Sequence, residues 1–173
     1  MKLKIILILI SSLFIITGIS FNINDCYNNY VIEKNEFKNI YNYFKGENNY
    51  LFVLEIPKIN LKRGINNNQN VDKDIVIIDY NKFLNSDIIL ASHSGNCSTC
   101  YFNRVCELLI NDLIYIYKDN IKYIYKIDSI KELKKQTFKL EDSINSVTLI
   151  TCKKNNNDLQ IIIKANLINK EDY

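Results

Sequence analysis

The sequence contains little glycine, proline, histidine and arginine, and it lacks tryptophan. Its 173 residues include four glycines, one proline, one histidine, no tryptophan and only two arginines, Arg63 and Arg104. The net charge at pH 7 is only +3 and the lysines are scattered, which argues against a nucleic-acid-binding surface. The length predicts one domain that is large enough to bury a hydrophobic core.

The N-terminal 23 residues combine two lysines with a long apolar run over residues 5–21. A helical membrane span needs about 17–25 apolar residues, so we expect residues 1–23 to form an uncleaved signal-anchor. The lysines before the run predict a single-pass protein with a cytoplasmic N-terminus and an extracellular domain. A cleaved secretory signal and a lipoprotein signal using Cys26 are the alternatives, although residues 20–24 match a cleavage site poorly.

The remaining chain changes from a polar segment to a strand-rich one. Residues 24–49 are rich in asparagine with a weak helical pattern, which predicts a stalk or a short helix. From residue 50 onward, apolar and alternating segments predict eight strands: Leu51–Ile56, Ile59–Ile65, Asp74–Ile78, Asp87–Ser92, Leu113–Tyr117, Ile121–Ile130, Val147–Cys152 and Leu159–Leu167. Tyr101–Leu109 is predicted to be a helix with one apolar face.

This pattern predicts an all-β fold. Eight short strands and one or two short helices are typical of a closed eight-stranded β-barrel, which we expect over residues 50–168. Residues 169–173 are predicted to be a tail.

Two of the predicted strands end at side chains with nucleophilic or acid–base chemistry. The strand over residues 146–152 ends on Cys152 and is followed by a polar loop at residues 153–158. The strand that begins at Asp87 leads directly into His93, the only histidine. Such a thiol and imidazole predict an acyl-transfer site with Cys152 as the nucleophile. The structural alternatives are a buried cysteine in a core strand and a histidine that only closes a strand.

Three motifs resemble those of the sortases, the cysteine transpeptidases of Gram-positive cell surfaces. They are Leu54–Leu61, Leu90–Gly95 and Thr148–Cys152, in the family's order within residues 50–168. The resemblance implies the same eight-stranded barrel. The segment between predicted strands six and seven, Leu133–Asn145, is short, so the resemblance is to branches without a long helical insertion there.

The resemblance also implies a reaction and its partners. Cys152 would attack a carbonyl of an LPxTG-like sorting signal, and an amine would displace the resulting acyl-thioester. His93 would protonate the leaving amine and then accept a proton from the incoming one. The implied partners are surface proteins with LPxTG-like signals and an amine acceptor on the cell wall or on another surface protein.

One position departs from the family. Sortases carry an arginine at the start of the last strand, which is thought to hold the oxyanion or the substrate carbonyl, and Gln160 occupies that place here. A glutamine amide donates without charge, and a charge-assisted hydrogen bond is roughly twice as strong as a neutral one. We expect Gln160 to serve as a neutral donor. An ordinary polar strand residue in a weakened enzyme is the alternative.

Four cysteines lie outside this scheme: Cys26, Cys97, Cys100 and Cys106. The last three, together with His93, have a spacing compatible with a zinc site, which would remove His93 from catalysis. All four can instead pair as disulfides outside the membrane, with three possible connectivities, leaving Cys152 free. The third alternative keeps Cys106 in the core and the others as loop thiols. No cofactor is expected, while calcium and zinc stay open as alternatives.

Two functions of different classes follow. The first is a membrane-anchored, sortase-like transpeptidase, which Cys152 and His93 favour. The second is a catalytically silent barrel of the same fold that binds surface peptides or zinc, for which Gln160 and the cysteine run leave room. A papain-like hydrolase is disfavoured because its cysteine precedes its histidine along the chain, whereas here His93 comes first.

Overall fold

The computed structural model describes residues 2–47, 50–67, 69–84, 87–135, 137 and 144–173. The chain divides into two units, Met1–Asn39 and Ile40–Tyr173. Most of the segment Leu133–Asn145, predicted to be a short connection, lies outside the described residues.

One helix, α1, spans Lys2–Phe44 and therefore provides the first unit and the start of the second. It continues as far as Phe44 and so includes most of the segment for which the sequence predicted a stalk or a short helix. Side chains from Ile10 to Tyr30 are exposed, and they include a series of large apolar groups. Within the described part of the chain, no helix combines the length and the apolar character that a membrane crossing requires.

The second unit contains one eight-stranded sheet. Its strands are β1 (Phe52–Ile56), β2 (Leu61–Ile65), β3 (Val76–Ile77), β4 (Asp87–Ala91), β5 (Leu113–Lys118), β6 (Ile121–Lys134), β7 (Ser146–Lys153) and β8 (Asn156–Asp172). The order across the sheet is β2-β1-β5-β6-β8-β7-β4-β3. Every pair is antiparallel except β4 and β7, which are parallel. The eight predicted strands are therefore all present.

The barrel is nearly closed, which corrects the predicted closed barrel. Among the described residues, β2 and β3 are the two edges and do not pair with each other. Strand β3 has only two residues and can form few ladder hydrogen bonds. The side chains of Arg63 on β2 and Asp74, two residues before β3, form an ion pair of 3.4 Å beside this seam.

Beyond α1, the helical segments are short. Besides α1, the described residues form α2 (Tyr80–Leu84) and two single-turn 3₁₀ helices, at Pro57–Ile59 and Val105–Glu107. The predicted helix at Tyr101–Leu109 is wrong, because this segment consists of turns and one of those 3₁₀ helices. Its predicted apolar face is split, since Val105 is fully buried whereas Cys106 is exposed. Contacts with the barrel therefore outweigh helical periodicity here.

The core lies inside the barrel and follows the alternation of the strands. Leu54, Leu90, Ile114, Leu149 and Ile163 are each fully buried and belong to one apolar cluster. Burial of a side chain of this size contributes about 1.5–3 kcal/mol. Strand β8 continues to Asp172, so it includes most of the residues that the sequence assigned to a tail.

An aromatic cluster joins the end of α1 to the barrel within the second unit. The ring of Phe44 contacts those of Tyr117 and Tyr173 edge to face, with centroid distances of 5.5 and 5.3 Å. The hydroxyl of Tyr43 donates to the carbonyl oxygen of Tyr117 at 3.2 Å. These contacts fix the last turn of α1 against β5 and the C-terminus.

Candidate active site

The parallel pairing of β4 and β7 brings the predicted catalytic residues to the same end of two neighbouring strands. The register aligns Ala91 with Ile150. Beyond β4, the backbone NH of Ser92 donates to the carbonyl of Ile150 at 3.4 Å, and the hydroxyl of Thr151 donates to the carbonyl of Ser92 at 2.8 Å. Continuing this register by two residues places His93 beside Cys152.

Side-chain alternation assigns a face to each of these residues. On β7, Val147 and Leu149 belong to the core cluster, and Thr151 follows them toward the interior. Cys152 therefore lies on the opposite, outer face. On β4, Ile88 and Leu90 belong to the core cluster, so a continued alternation places His93 on the outer face as well.

Gln160 shares this face. It is the direct register partner of Cys152 on the antiparallel strand β8. Opposed residues in such a pair have Cβ atoms about 4.5–5.5 Å apart. The structure therefore brings together the three residues singled out in the sequence, His93, Cys152 and Gln160, on the outer face of the sheet near the end of β7.

The hairpin behind Cys152 is tighter than predicted. Residues 153–158 were predicted to be a polar loop, but β8 already begins at Asn156. The turn consists of Lys154 and Asn155, and Asn155 has the positive φ of 63° that such turns favour. A register shift follows directly after the Cys152–Gln160 pair. This irregularity ends the regular ladder at the cysteine.

Cys152 is a half-buried, free thiol. Its carbonyl oxygen accepts a hydrogen bond from the hydroxyl of Ser94, which ties the loop after His93 to the end of β7. A small cavity of about 10 Å³ adjoins the thiol and is also lined by Phe102 and Cys106. A volume of this size holds at most about one water molecule.

His93 has a partner that the sequence did not reveal. Its Nε2 atom lies 2.9 Å from Oδ1 of Asp72, in the connection between β2 and β3. The two residues are 21 positions apart, and no motif or periodicity relates them. The backbone of His93 is also held, because its carbonyl oxygen accepts from the NH of Phe102 at 3.1 Å.

The remaining cysteines are not arranged as a zinc site. Cys97 and Cys100 form a disulfide, while Cys26, Cys106 and Cys152 are free. The bond uses two of the thiols that zinc coordination by this run would need. Across the described ranges, no group of three or more histidine, cysteine or acidic side chains is placed to hold a metal ion. Cys106 is exposed, which corrects the alternative that placed it in the core.

Both arginines of the chain are engaged by other residues. Arg63 pairs with Asp74 and lies over the ring of Tyr101, with its guanidinium carbon 4.1 Å from the ring centroid. Arg104 pairs with Glu107 at 2.7 Å and donates to the carbonyl of Ile59. The hydrogen bond from Arg104 lowers the pKa of Glu107.

Comparison with known proteins shows the family of the chain. The family model of the sortase domain matches residues 54–168. The chain therefore belongs to the sortase family, whose members are in general cysteine transpeptidases of cell-wall sorting. No curated protein sequence matches it significantly.

Solved sortase structures share the fold. Sortase A from Listeria monocytogenes superposes with a TM-score of 0.60 at 17% identity, over 72% of this chain and 90% of that one. Sortase C from Clostridium perfringens, solved with the C-terminal cell wall sorting motif, superposes with a TM-score of 0.60 at 22% identity, over 82% of this chain and 90% of that one. A lid mutant of sortase A from Corynebacterium diphtheriae superposes with a TM-score of 0.61 at 20% identity, over 69% of this chain and 70% of that one.

Proposed function

We propose that this protein is a cysteine transpeptidase that cleaves an LPxTG-like sorting signal and transfers the surface protein to an amine. The amine belongs to the cell wall or to another surface protein. One observation carries the proposal. The hydrogen bonds from Ser92 and Ser94 to β7 hold the backbone of His93, the sole histidine, alongside the free thiol Cys152.

In the proposed reaction, the thiolate of Cys152 attacks the carbonyl carbon of the scissile peptide bond and forms a C–S bond. The C–N bond then breaks, and the imidazolium of His93 gives its proton to the leaving amine. An acyl-thioester remains on Cys152. The incoming amine gives a proton to His93 as it attacks, the new C–N bond forms, and the thiolate leaves. His93 and Cys152 return to their starting states.

Gln160 has a separate role in this proposal. Its amide NH₂ donates a hydrogen bond to the oxygen that becomes negative when the carbonyl is attacked. Its position opposite Cys152 on the outer face supports this assignment. Because the amide is neutral, it stabilises the oxyanion less than an arginine would. We therefore propose slow acylation compared with sortases that carry the arginine.

The proposed location is the cell membrane, in a single pass with the N-terminus in the cytoplasm and the barrel outside. The apolar run over residues 5–21 and the two lysines before it support this location. The exposed apolar side chains between Ile10 and Ile23 would then face lipid.

Intact-protein mass spectrometry tests the transpeptidase. The full chain in detergent is incubated with a panel of LPxTG-like peptides, and the mass of an acyl adduct reports which bond was cleaved. We expect the adduct in wild type, none in Cys152→Ala and a strongly reduced yield in His93→Ala. Cys106→Ala is the matched control for the neighbouring free thiol and should keep the adduct.

The second candidate is a catalytically silent barrel that binds surface peptides. The neutral residue at the arginine position favours it. The same experiment separates the two functions. A folded wild-type protein that binds a peptide of the panel and yields no adduct would establish the silent barrel.

A further inference from the structure

We propose that Asp72 is a positioning residue, which holds the imidazole of His93 through Nε2 and leaves Nδ1 for the proton transfers. The inference rests on the proposed transpeptidase function and adds a residue to its site. The direct observation is the distance of 2.9 Å between Nε2 of His93 and Oδ1 of Asp72.

The loop that carries Asp72 is held in place from both sides. The backbone NH of Asp72 donates to Oδ1 of Asn70 at 2.9 Å, which makes a compact turn. Two residues further on, Asp74 pairs with Arg63 on β2 and accepts from the NH of Ile75 at 2.9 Å. Ile75 is itself fully buried in the core. The carboxylate is therefore presented to His93 from an anchored segment.

The backbone around His93 is also held by hydrogen bonds, so the remaining freedom is rotation of the imidazole ring. Ser92 and Ser94 on either side of it bond to β7, and its own carbonyl accepts from Phe102. The His93 side chain remains 42% exposed and rotates about two bonds. A hydrogen bond to Asp72 selects one orientation of this ring.

The contact also decides which nitrogen does the chemistry. A carboxylate only accepts, so the neutral ring keeps its proton on Nε2 and offers the lone pair of Nδ1. When the ring is charged, Nδ1–H is the proton donor for the leaving amine. Each turnover removes one proton from Nδ1 and returns one from the incoming amine. The Nε2–H bond to Asp72 stays intact throughout.

The Asp72 side chain is 80% exposed, so its removal should leave the fold intact. An exposed pair is screened by water, and we expect a smaller effect than in a buried triad. Asp72→Ala should lower kcat by about tenfold and change KM by less than about twofold, since the ring is misoriented while the peptide surface is unchanged. Asp72→Glu should restore most of kcat. Asp172→Ala removes the same charge from the end of β8 and should match wild type.

A second measurement does not depend on activity. Because His93 is the only histidine, labelling the full chain with ¹⁵N-histidine gives ring signals that need no assignment. We expect well-separated Nδ1 and Nε2 shifts in the neutral wild-type ring, as for a proton confined to Nε2. In Asp72→Ala the two shifts should converge, because the proton then exchanges between both nitrogens.

The outcomes separate this inference from the proposed function. An active wild type with unchanged kcat and unchanged ring shifts in Asp72→Ala would overturn the positioning role and leave the transpeptidase standing. A raised KM at constant kcat would also overturn it, because Asp72 would then contact the peptide. If wild type forms no adduct at all, the proposed function fails, and the ring shifts alone decide whether Asp72 orders the ring.

Discussion

Cys152 and Gln160 stand directly opposite each other on β7 and β8, immediately before the register of the hairpin shifts. The pair is the last regular rung of this ladder, and both side chains lie on the outer face. A neutral hydrogen-bond donor therefore sits beside the free thiol of Cys152. The hairpin that carries the nucleophile carries the donor as well.

This relationship predicts the effect of changing Gln160. Gln160→Ala should slow acylation by peptide about tenfold, because one donor to the oxyanion is lost from a half-exposed site. Gln160→Arg should be faster than wild type, since its hydrogen bond is charge-assisted. The rate of adduct formation, followed by mass spectrometry, measures both.

Lys164→Ala is the control for that experiment. Lys164 lies on the same strand and the same face, but it pairs with Thr148 rather than with Cys152. We expect its acylation rate to equal that of wild type. Equal rates for Gln160→Ala and wild type would eliminate the donor role.

The buried Ser146–Asp87 contact should be important for stability. The hydroxyl of Ser146 donates to Oδ1 of Asp87, and both residues are buried at the start of the parallel β4–β7 pair. Ser146→Ala removes a hydrogen bond to a buried carboxylate and should lower the free energy of unfolding by about 1.5–3 kcal/mol. Urea unfolding monitored by circular dichroism measures the change. Ser129→Ala, on β6, is the control and should lower the free energy of unfolding less than Ser146→Ala does.

The Cys97–Cys100 disulfide should stabilise the loop after His93. Cross-linking a loop of this length restricts the unfolded chain and is worth about 2 kcal/mol in the chain-entropy model. Cys97→Ala/Cys100→Ala should lower the urea midpoint accordingly, and a reducing agent should do the same to wild type. Cys106→Ala removes a free thiol instead. A midpoint that is the same for the double variant and for Cys106→Ala would contradict the prediction.

The aromatic cluster at the end of α1 predicts loss of stability at high pH. Burial raises the pKa of Tyr43 to about 12 from an ordinary value of 10.0, with nearby Tyr173 and Asp119 adding to the effect. The folded state thus holds this proton more tightly than the unfolded state. The stabilisation is fully present below pH 10 and is lost as the pH rises toward 12.

Thermal unfolding between pH 8 and pH 12 measures this loss. We expect Tm to fall across the upper part of that range, and to fall less steeply in Tyr43→Phe. Tyr41→Phe changes an exposed tyrosine of the same helix and should keep the wild-type slope. A Tyr43→Phe profile that parallels wild type would show that this hydroxyl contributes nothing to the pH dependence.

Several features were predictable because they depend on short-range patterns. Alternating and continuous apolar segments predict all eight strands, since strands bury every second side chain or both faces. The ends of β4 and β7 follow from the polar residues after them. Cys152 is the penultimate residue of β7, and His93 lies two residues beyond β4. Gln160 was singled out by the resemblance to the sortases, which carry an arginine at the corresponding place.

The prediction for Tyr101–Leu109 shows where such patterns fail. Its apolar spacing is helical, but Phe102 bonds to the backbone of His93 and Val105 enters the core. Those two contacts impose turns and a single 3₁₀ helix. Local propensity amounts to tenths of a kcal/mol per residue, which buried contacts readily exceed.

The sequence by itself therefore determined the strands, the barrel class and the residues at the strand ends, because each depends on neighbours a few positions away. Only the tertiary structure decided the parallel pairing of β4 with β7, the open seam between β2 and β3, and the partner of Cys97. It alone placed Asp72 against His93. These relationships join residues whose separation along the chain carries no periodic signal, and they form only when the sheet curves and closes its loops in space.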